Sequence, residues 1–258
     1  MEQHSKSGGF KTGDEAYDAA SAAILGAGGV VSVTGAGISV ESGIPDFRSA
    51  GGLWSKYPPQ EYATIEAFYD NPDKVWEMWY ELAESLRHVR PNPAHLALAE
   101  LEKMGRLGAV VTQNIDALHH EAGSTSVIEY HGRADTLYCP ACHRRRPIDL
   151  GYRSHGAPRC ECGGYMKPDV VLFGELIPQN ALHLADSLAR NCGVMIIVGT
   201  SATVYPAAGL PYIAKENGAF IVECNTEPTQ FTRTITDAFL QGPAGKSLPR
   251  LVEKVRNR

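Results

Sequence analysis

The sequence points to an α/β fold, a Rossmann-like and mainly parallel sheet that carries a smaller lobe. Three observations lead there. Short β-rich apolar runs alternate with helical patterns over most of the chain, a glycine turn follows the first run, and two stretches break the rhythm. Composition sets the limits. The 258 residues can bury a full core, and 43% hydrophobic with 21% charged residues excludes collagen-like, coiled-coil and largely disordered chains. A net charge of −5 gives no global field for nucleic acid or anionic lipid. The amino-terminal stretch lacks an apolar h-region, and no apolar run reaches the ~20 residues that span a bilayer. The expectation is a cytoplasmic protein without a membrane partner.

The elements follow in order. Asp14 can cap a helix over residues 14–25, which Gly26, Gly28 and Gly29 end. Residues 30–34 form a buried strand, then Gly35-Ala36-Gly37 turns into a helix. Asn92 can cap an amphipathic helix over 93–104, stopped by Gly105. Strands are expected at 109–112, 127–130, 170–173, 194–198 and 219–223, with helices at 179–190, 207–217 and 249–258. Residues 48–90 are rich in Trp, Tyr and Pro before turning helical, and residues 135–167 hold paired cysteines. One sheet lobe over 14–47, 91–134 and 168–258 would then carry a small lobe of 48–90 (a cover and helices) and 135–167 (the cysteine module).

Five motifs carry chemistry. A strand feeding Gly35-Ala36-Gly37-Ile38-Ser39 offers backbone N–H groups to a phosphate, with the glycines allowing close approach. As a dehydrogenase fingerprint it is imperfect, because Val40 fills the third small position and no acidic residue follows about 20 residues on. A tight structural turn is the plain alternative. Residues 41–54, dense in glycine and including Asp46, Phe47 and Arg48, suggest a mobile cover, which would extend over 43–60. Gln113-Asn114-Ile115-Asp116 ends a strand at the ligand edge of such sheets, where Asp116 could equally cap the next helix. His131 follows a short strand and suits a general base, although a lone histidine is more often a hydrogen-bonded loop residue.

Cys139-Pro-Ala-Cys142 and Cys160-Glu-Cys162 match a four-thiolate zinc site, closed and therefore structural, with His143 a lesser ligand candidate. Arg144, Arg145, Arg146, Arg153 and Arg159 make this module locally basic, which a solvated face explains before nucleic acid does. Weaker signals are the stretch from Lys167 to Glu175, Gly199-Thr200-Ser201 and Cys224-Asn225. Cys192 and Cys224 read as buried, inert thiols.

Taken in order, these motifs resemble the sirtuin family of NAD-dependent protein deacylases, of the bacterial lysine deacetylase type, from about Ala22 to Val252. The resemblance implies that Gly35, Ala36, Gly37, Asp46, Phe47 and Arg48 hold and cover NAD at its pyrophosphate. Gln113 and His131 would face the nicotinamide ribose, and Asn114, Ile115 and Asp116 the nicotinamide, with Ser39 and Asn114 in the reactive cleft. Gly199, Thr200, Ser201 and Asn225 would hold the adenosine half. Val171, Phe173, Gly174 and Glu175 would line the acyl-lysine tunnel, where substrate adds as a strand. NAD would be consumed as a co-substrate, the acetyl group passing from lysine to ADP-ribose with release of nicotinamide and His131 acting as general base. One structural zinc per chain and acetyl-lysine proteins or peptides as partners complete the implication, with no direct nucleic acid.

The same chemistry leaves mono-ADP-ribosyl transfer, or removal of longer uncharged acyl chains, as alternatives. An NAD(P) dehydrogenase and a zinc-ribbon nucleic-acid binder fit less well. Family members that remove succinyl groups carry a Tyr and an Arg three residues apart on the tunnel helix. Trp79 and Leu82 stand in the matching register here, and Tyr80 with Ala83 in the next, so neither supplies the arginine. Glu81 would repel a carboxylate, whereas Arg87 or Arg90 would enter only if the helix ran differently.

Overall fold

Five successive residues buried on both faces make Val30–Thr34 the central strand, β1. The computed structural model describes residues 9–44, 53–151 and 156–258. In it β1 pairs in parallel with β2 (Ala109–Thr112) on one side and with β7 (Val194–Val198) on the other. β3 (Val127–Glu129) lies outside β2, and β8 (Phe220–Asn225) and β9 (Ala238–Gln241) follow outside β7, again in parallel. The order β3-β2-β1-β7-β8-β9 therefore reverses direction between β1 and β7. That switch point opens a crevice at the carboxyl ends of the two strands.

Alternate side chains of these strands feed two cores. On one face Val30, Ile196 and Val198 pack with Ile24 of α1 (Gly13–Gly26), Leu98 of α6 (Pro93–Lys103) and Leu251 of α11 (Ala244–Arg256). On the other, Val31, Val33 and Ile197 meet Ala185 of α8 (Gln179–Asn191) and Ala214 of α9 (Leu210–Glu216). Two short helices, α7 (Leu118–Glu121) and α10 (Gln230–Thr234), sit in loops. Among the described residues no helix is long and apolar enough to cross a membrane.

A third core joins the two interruptions. Helices α2 (Leu53–Lys56), α3 (Pro59–Tyr62), α4 (Ile65–Asp70) and α5 (Pro72–Leu86) pack on an antiparallel sheet. Its order is β5-β4-β6, from β4 (Gly132–Tyr138), β5 (Arg145–Pro147) and β6 (Lys167–Val170). Trp76 is fully buried between them, and its indole N–H donates to the Met166 carbonyl at 2.9 Å.

Several elements differ from expectation. Thr12, not Asp14, stands at the N-cap of α1, and Asp14 lies in the first turn, where its charge suits the helix dipole. The Gly35-Ala36-Gly37 turn leads only into two 3₁₀ turns, Ala36–Ile38 and Val40–Ser42, because Gly43 at φ 89° ends the coil. The strand expected at 170–173 runs instead over Lys167–Val170 and belongs to the antiparallel sheet. β9 was not expected, and α11 starts earlier and continues through Pro249.

Candidate active site

The crevice is built from the strand ends. Gly35 N–H donates to Val198 O at 2.9 Å and Gly37 N–H to Gly199 O at 2.8 Å, so the turns after β1 and β7 interlock. A Cβ on Gly35 would lie 2.9 Å from Gly199 O, and one on Gly37 only 2.7 Å from Gly199 Cα. The glycines are thus required first by the neighbouring turn, where the sequence suggested approach to a phosphate. Gln113 leaves β2 with its N–H on Thr34 O, and its Nε2 donates to Thr200 Oγ1 at 3.1 Å. Asn225, at the end of β8, donates through Nδ2 to Thr200 O at 3.2 Å.

Asp116 takes the expected capping role and also holds Ser39. Its Oδ1 accepts from Leu118 N–H at 3.0 Å at the start of α7, while Oδ2 accepts from the Ser39 hydroxyl at 2.7 Å. The Ser39 oxygen in turn accepts from Asn114 Nδ2 at 3.0 Å. Behind Ser39, His95 Nδ1 accepts from Asn92 N–H, which leaves its Nε2 protonated toward Ser39 Oγ at 3.5 Å. His119 Nε2 lies 3.0 Å from Thr34 Oγ1. Burial pushes His95 down to about 4 and His119 to about 3, so both are neutral supports near pH 7. The sequence reading missed this histidine layer. Its only trace was His95 at the third position after the Asn92 cap, where it closes a capping box.

His131 Nδ1 lies 3.0 Å from Gln113 O. A carbonyl only accepts, so Nδ1 carries the proton of the neutral ring and Nε2 is a free base. Burial holds the His131 pKa below its usual value, with the bond to Gln113 opposing.

One cavity of about 800 Å³ unites these groups. Gly35, Ala36, Gly37, Gln113, Asn114, Ile115, His131, Gly199, Thr200, Ser201 and Asn225 border it, as do Val171, Phe173, Gly174 and Glu175. Trp54 from the expected cover and Trp79 of the expected tunnel helix also line it, as do Tyr205 and Pro243, which carried no motif. Ser39 is buried beneath the wall, and Asp116 borders a smaller cavity on the other side of Ile115. Asp46, Phe47 and Arg48 lie outside the described residues.

The sulfurs of Cys139, Cys142, Cys160 and Cys162 lie within 4.8 Å of one another, with Cys139–Cys162 and Cys142–Cys160 at 3.6 Å. Tetrahedral Zn–S bonds place sulfurs about 3.8 Å apart, so the four thiols fit zinc with no position left open. His143 turns away to the Tyr138 hydroxyl. Arg144 pairs with Glu161 and Arg145 with Asp169, so two arginines of the basic run face acidic partners, and Arg153 lies outside the described residues.

The Sir2 family model matches residues 35–206, from the glycine turn past Gly199-Thr200-Ser201. The chain belongs to the Sir2 family. An NAD-dependent protein deacylase of Pyrococcus furiosus is 50% identical over 232 residues, 88% of this chain and 92% of that one. A solved Sir2 homologue in complex with NAD superposes with a TM-score of 0.88 at 39% identity, covering 96% of both chains. A Sir2 structure with a deacetylated p53 peptide and 3′-O-acetyl-ADP-ribose gives 0.82 at 36% identity, covering 91% of this chain and 96% of that one.

Within this Sir2 chain, α5 presents Trp79 to the cavity. Glu81 does not face it, since its carboxylate is held by Lys56 and the Tyr57 hydroxyl. Arg87 borders the smaller cavity, and Arg90 donates to the carbonyls of Arg87 and Val89. No described arginine lines the main cavity.

Proposed function

We propose that this chain is an NAD-dependent protein lysine deacetylase that passes the acetyl group to ADP-ribose and releases nicotinamide. The observation that carries the reading is the single cavity joining the interlocked glycine turns, the free Nε2 of His131 and the Val171–Glu175 segment. NAD, when bound, supplies a scissile glycosidic bond and the ribose hydroxyl that accepts the acyl group.

The chain's residues divide the remaining tasks. Gly35, Ala36, Gly37, Gly199, Thr200, Ser201 and Asn225 hold the dinucleotide, with Asp46, Phe47 and Arg48 as its cover. Asn114, Ile115 and Asp116 receive the nicotinamide, and Ser39 fixes Asn114 and Asp116 for that purpose. His131 Nε2 takes the proton of a ribose hydroxyl, while Gln113 O fixes the ring. Val171, Phe173, Gly174 and Glu175 receive the acyl-lysine of a protein or peptide. The thiolates of Cys139, Cys142, Cys160 and Cys162 hold a structural zinc, and the cytoplasm, which keeps thiols reduced, is the implied compartment. Incubation with NAD and an acetylated peptide tests the reading. Nicotinamide release that depends on the acetyl group supports it; release without the peptide favours ADP-ribosyl transfer, and NADH would mean a dehydrogenase.

A further inference from the structure

Lys167 is 4% exposed, far from the usual place of an unshared ammonium. It stands at the first position of β6, and all three of its N–H donors are engaged at the root of the segment that leaves that strand. Nζ lies 3.2 Å from Pro168 O, 2.5 Å from Val170 O and 2.9 Å from Glu175 Oε2. Glu175 Oε2 also accepts from Leu172 N–H at 2.8 Å, so one carboxylate closes the turn over 172–175 while the ammonium fixes the carboxylate. Burial pulls the Lys167 pKa down and Glu175 opposes it.

The segment so held is a wall of the cavity. It is bolted on both sides by backbone bonds. Val171 N–H donates to His131 O at 2.9 Å, Phe173 N–H to Ala63 O at 2.9 Å, and Ile65 N–H to Phe173 O at 3.0 Å. Between these bolts only Glu175 contributes a side-chain bond to the segment's backbone among the described residues. The carbonyl of Val170 points at Lys167, and the next N–H, that of Val171, points at the residue bearing the proposed base. A shift of the Lys167–Glu175 pair therefore changes the spacing between the wall and His131.

The ammonium is buried while the Glu175 carboxylate keeps partial exposure, and the pair's hydrogen bonds go to the backbone of this segment and its root, so what the pair fixes is the segment. We propose that Lys167 is a positioning residue for acyl-lysine binding, holding the Val171–Glu175 wall in register with His131. The proposal rests on the reading of this cavity as the acyl-lysine site.

The test uses the zinc-loaded full chain, Lys167→Met, Lys167→Gln and Lys167→Arg, each followed by thermal unfolding. A fluorescent acetylated peptide is titrated without turnover, NAD affinity is measured without peptide, and steady-state kinetics follow. Loss of charged hydrogen bonds that hold the wall should weaken peptide binding and raise peptide KM about tenfold or more in Lys167→Met. NAD affinity should hold, kcat should fall less than kcat/KM, and Lys167→Arg should recover most of the loss. If Lys167→Met unfolds, Lys167→Gln decides, since its amide can still donate to Pro168 O or Val170 O without the charge, and it should stay folded yet bind peptide weakly. Unchanged peptide binding in Lys167→Met or in Lys167→Gln overturns the proposal, as does a proportional loss of NAD affinity, peptide affinity and melting temperature. If the wild-type chain itself fails to bind acetylated peptide, the functional reading falls instead.

Discussion

His131 shows how much of the site rests on one atom. Its Nδ1 is committed to Gln113 O, so Nε2 alone can take a proton. His131→Ala should leave the fold and NAD binding in place and lower deacetylation by about 10²–10⁴-fold, the usual contribution of a general base. Near-wild-type turnover by this variant would remove His131 from the role. Burial lowers its pKa, and the base works only when unprotonated, so activity should fall as pH drops through a value below the ordinary ~6.5. A kcat/KM profile whose acid limb has its midpoint at or above that value would contradict this assignment. Asp116 acts differently, because one oxygen caps α7 and the other holds Ser39. Asp116→Ala should therefore weaken nicotinamide capture, measured as reduced inhibition by added nicotinamide together with slower turnover.

At the scale of elements, the cysteine hairpins and α5 make separate claims. Replacing Cys139 by Ser should release zinc and unfold the β4–β6 module, since structural zinc supplies roughly 10 kcal/mol or more of folding free energy. Folded, active protein without zinc by metal analysis would refute the site. The wall at Trp79 is apolar and Glu81 is turned away, so a succinyl carboxylate would be buried without a partner, at a cost of several kcal/mol. Acetylated peptide should be cleaved much faster than its succinylated twin, and equal rates would sink the claim. How far these elements could be read beforehand depended on their local signals. β1, β2 and β7 were legible because buried parallel strands are continuous apolar runs. β6 was misplaced because Val170–Phe173 looks like a strand, whereas hydrogen bonds to His131 and Ala63 carry Val171 and Phe173 off the sheet. β9 has only four residues, too short an apolar run to stand out between α10 and α11. The cavity's motif residues and Trp79 could be picked from sequence; Tyr205 and Pro243 reach it only through tertiary packing.

The whole molecule couples the site to folding through its buried histidines. His95 and His119 have folded values of about 4 and about 3, below the ~6.5 of an unfolded chain. The unfolded chain therefore binds their protons first, and stability rises with pH in this window. Stability from these groups is full above about 6.5 and declines as pH falls toward 4 and then 3. Denaturation midpoints followed across that range should drop in the wild type and drop less in His119→Gln; parallel curves would refute the coupling.

Product stoichiometry puts the proposed chemistry to trial. The folded, zinc-loaded chain is incubated with NAD and an acetylated peptide, and all products are followed by mass spectrometry. Equal amounts of nicotinamide, deacetylated peptide and O-acetyl-ADP-ribose are expected. Deacetylation that yields free acetate with NAD intact, or NAD cleavage with the peptide still acetylated, would contradict it.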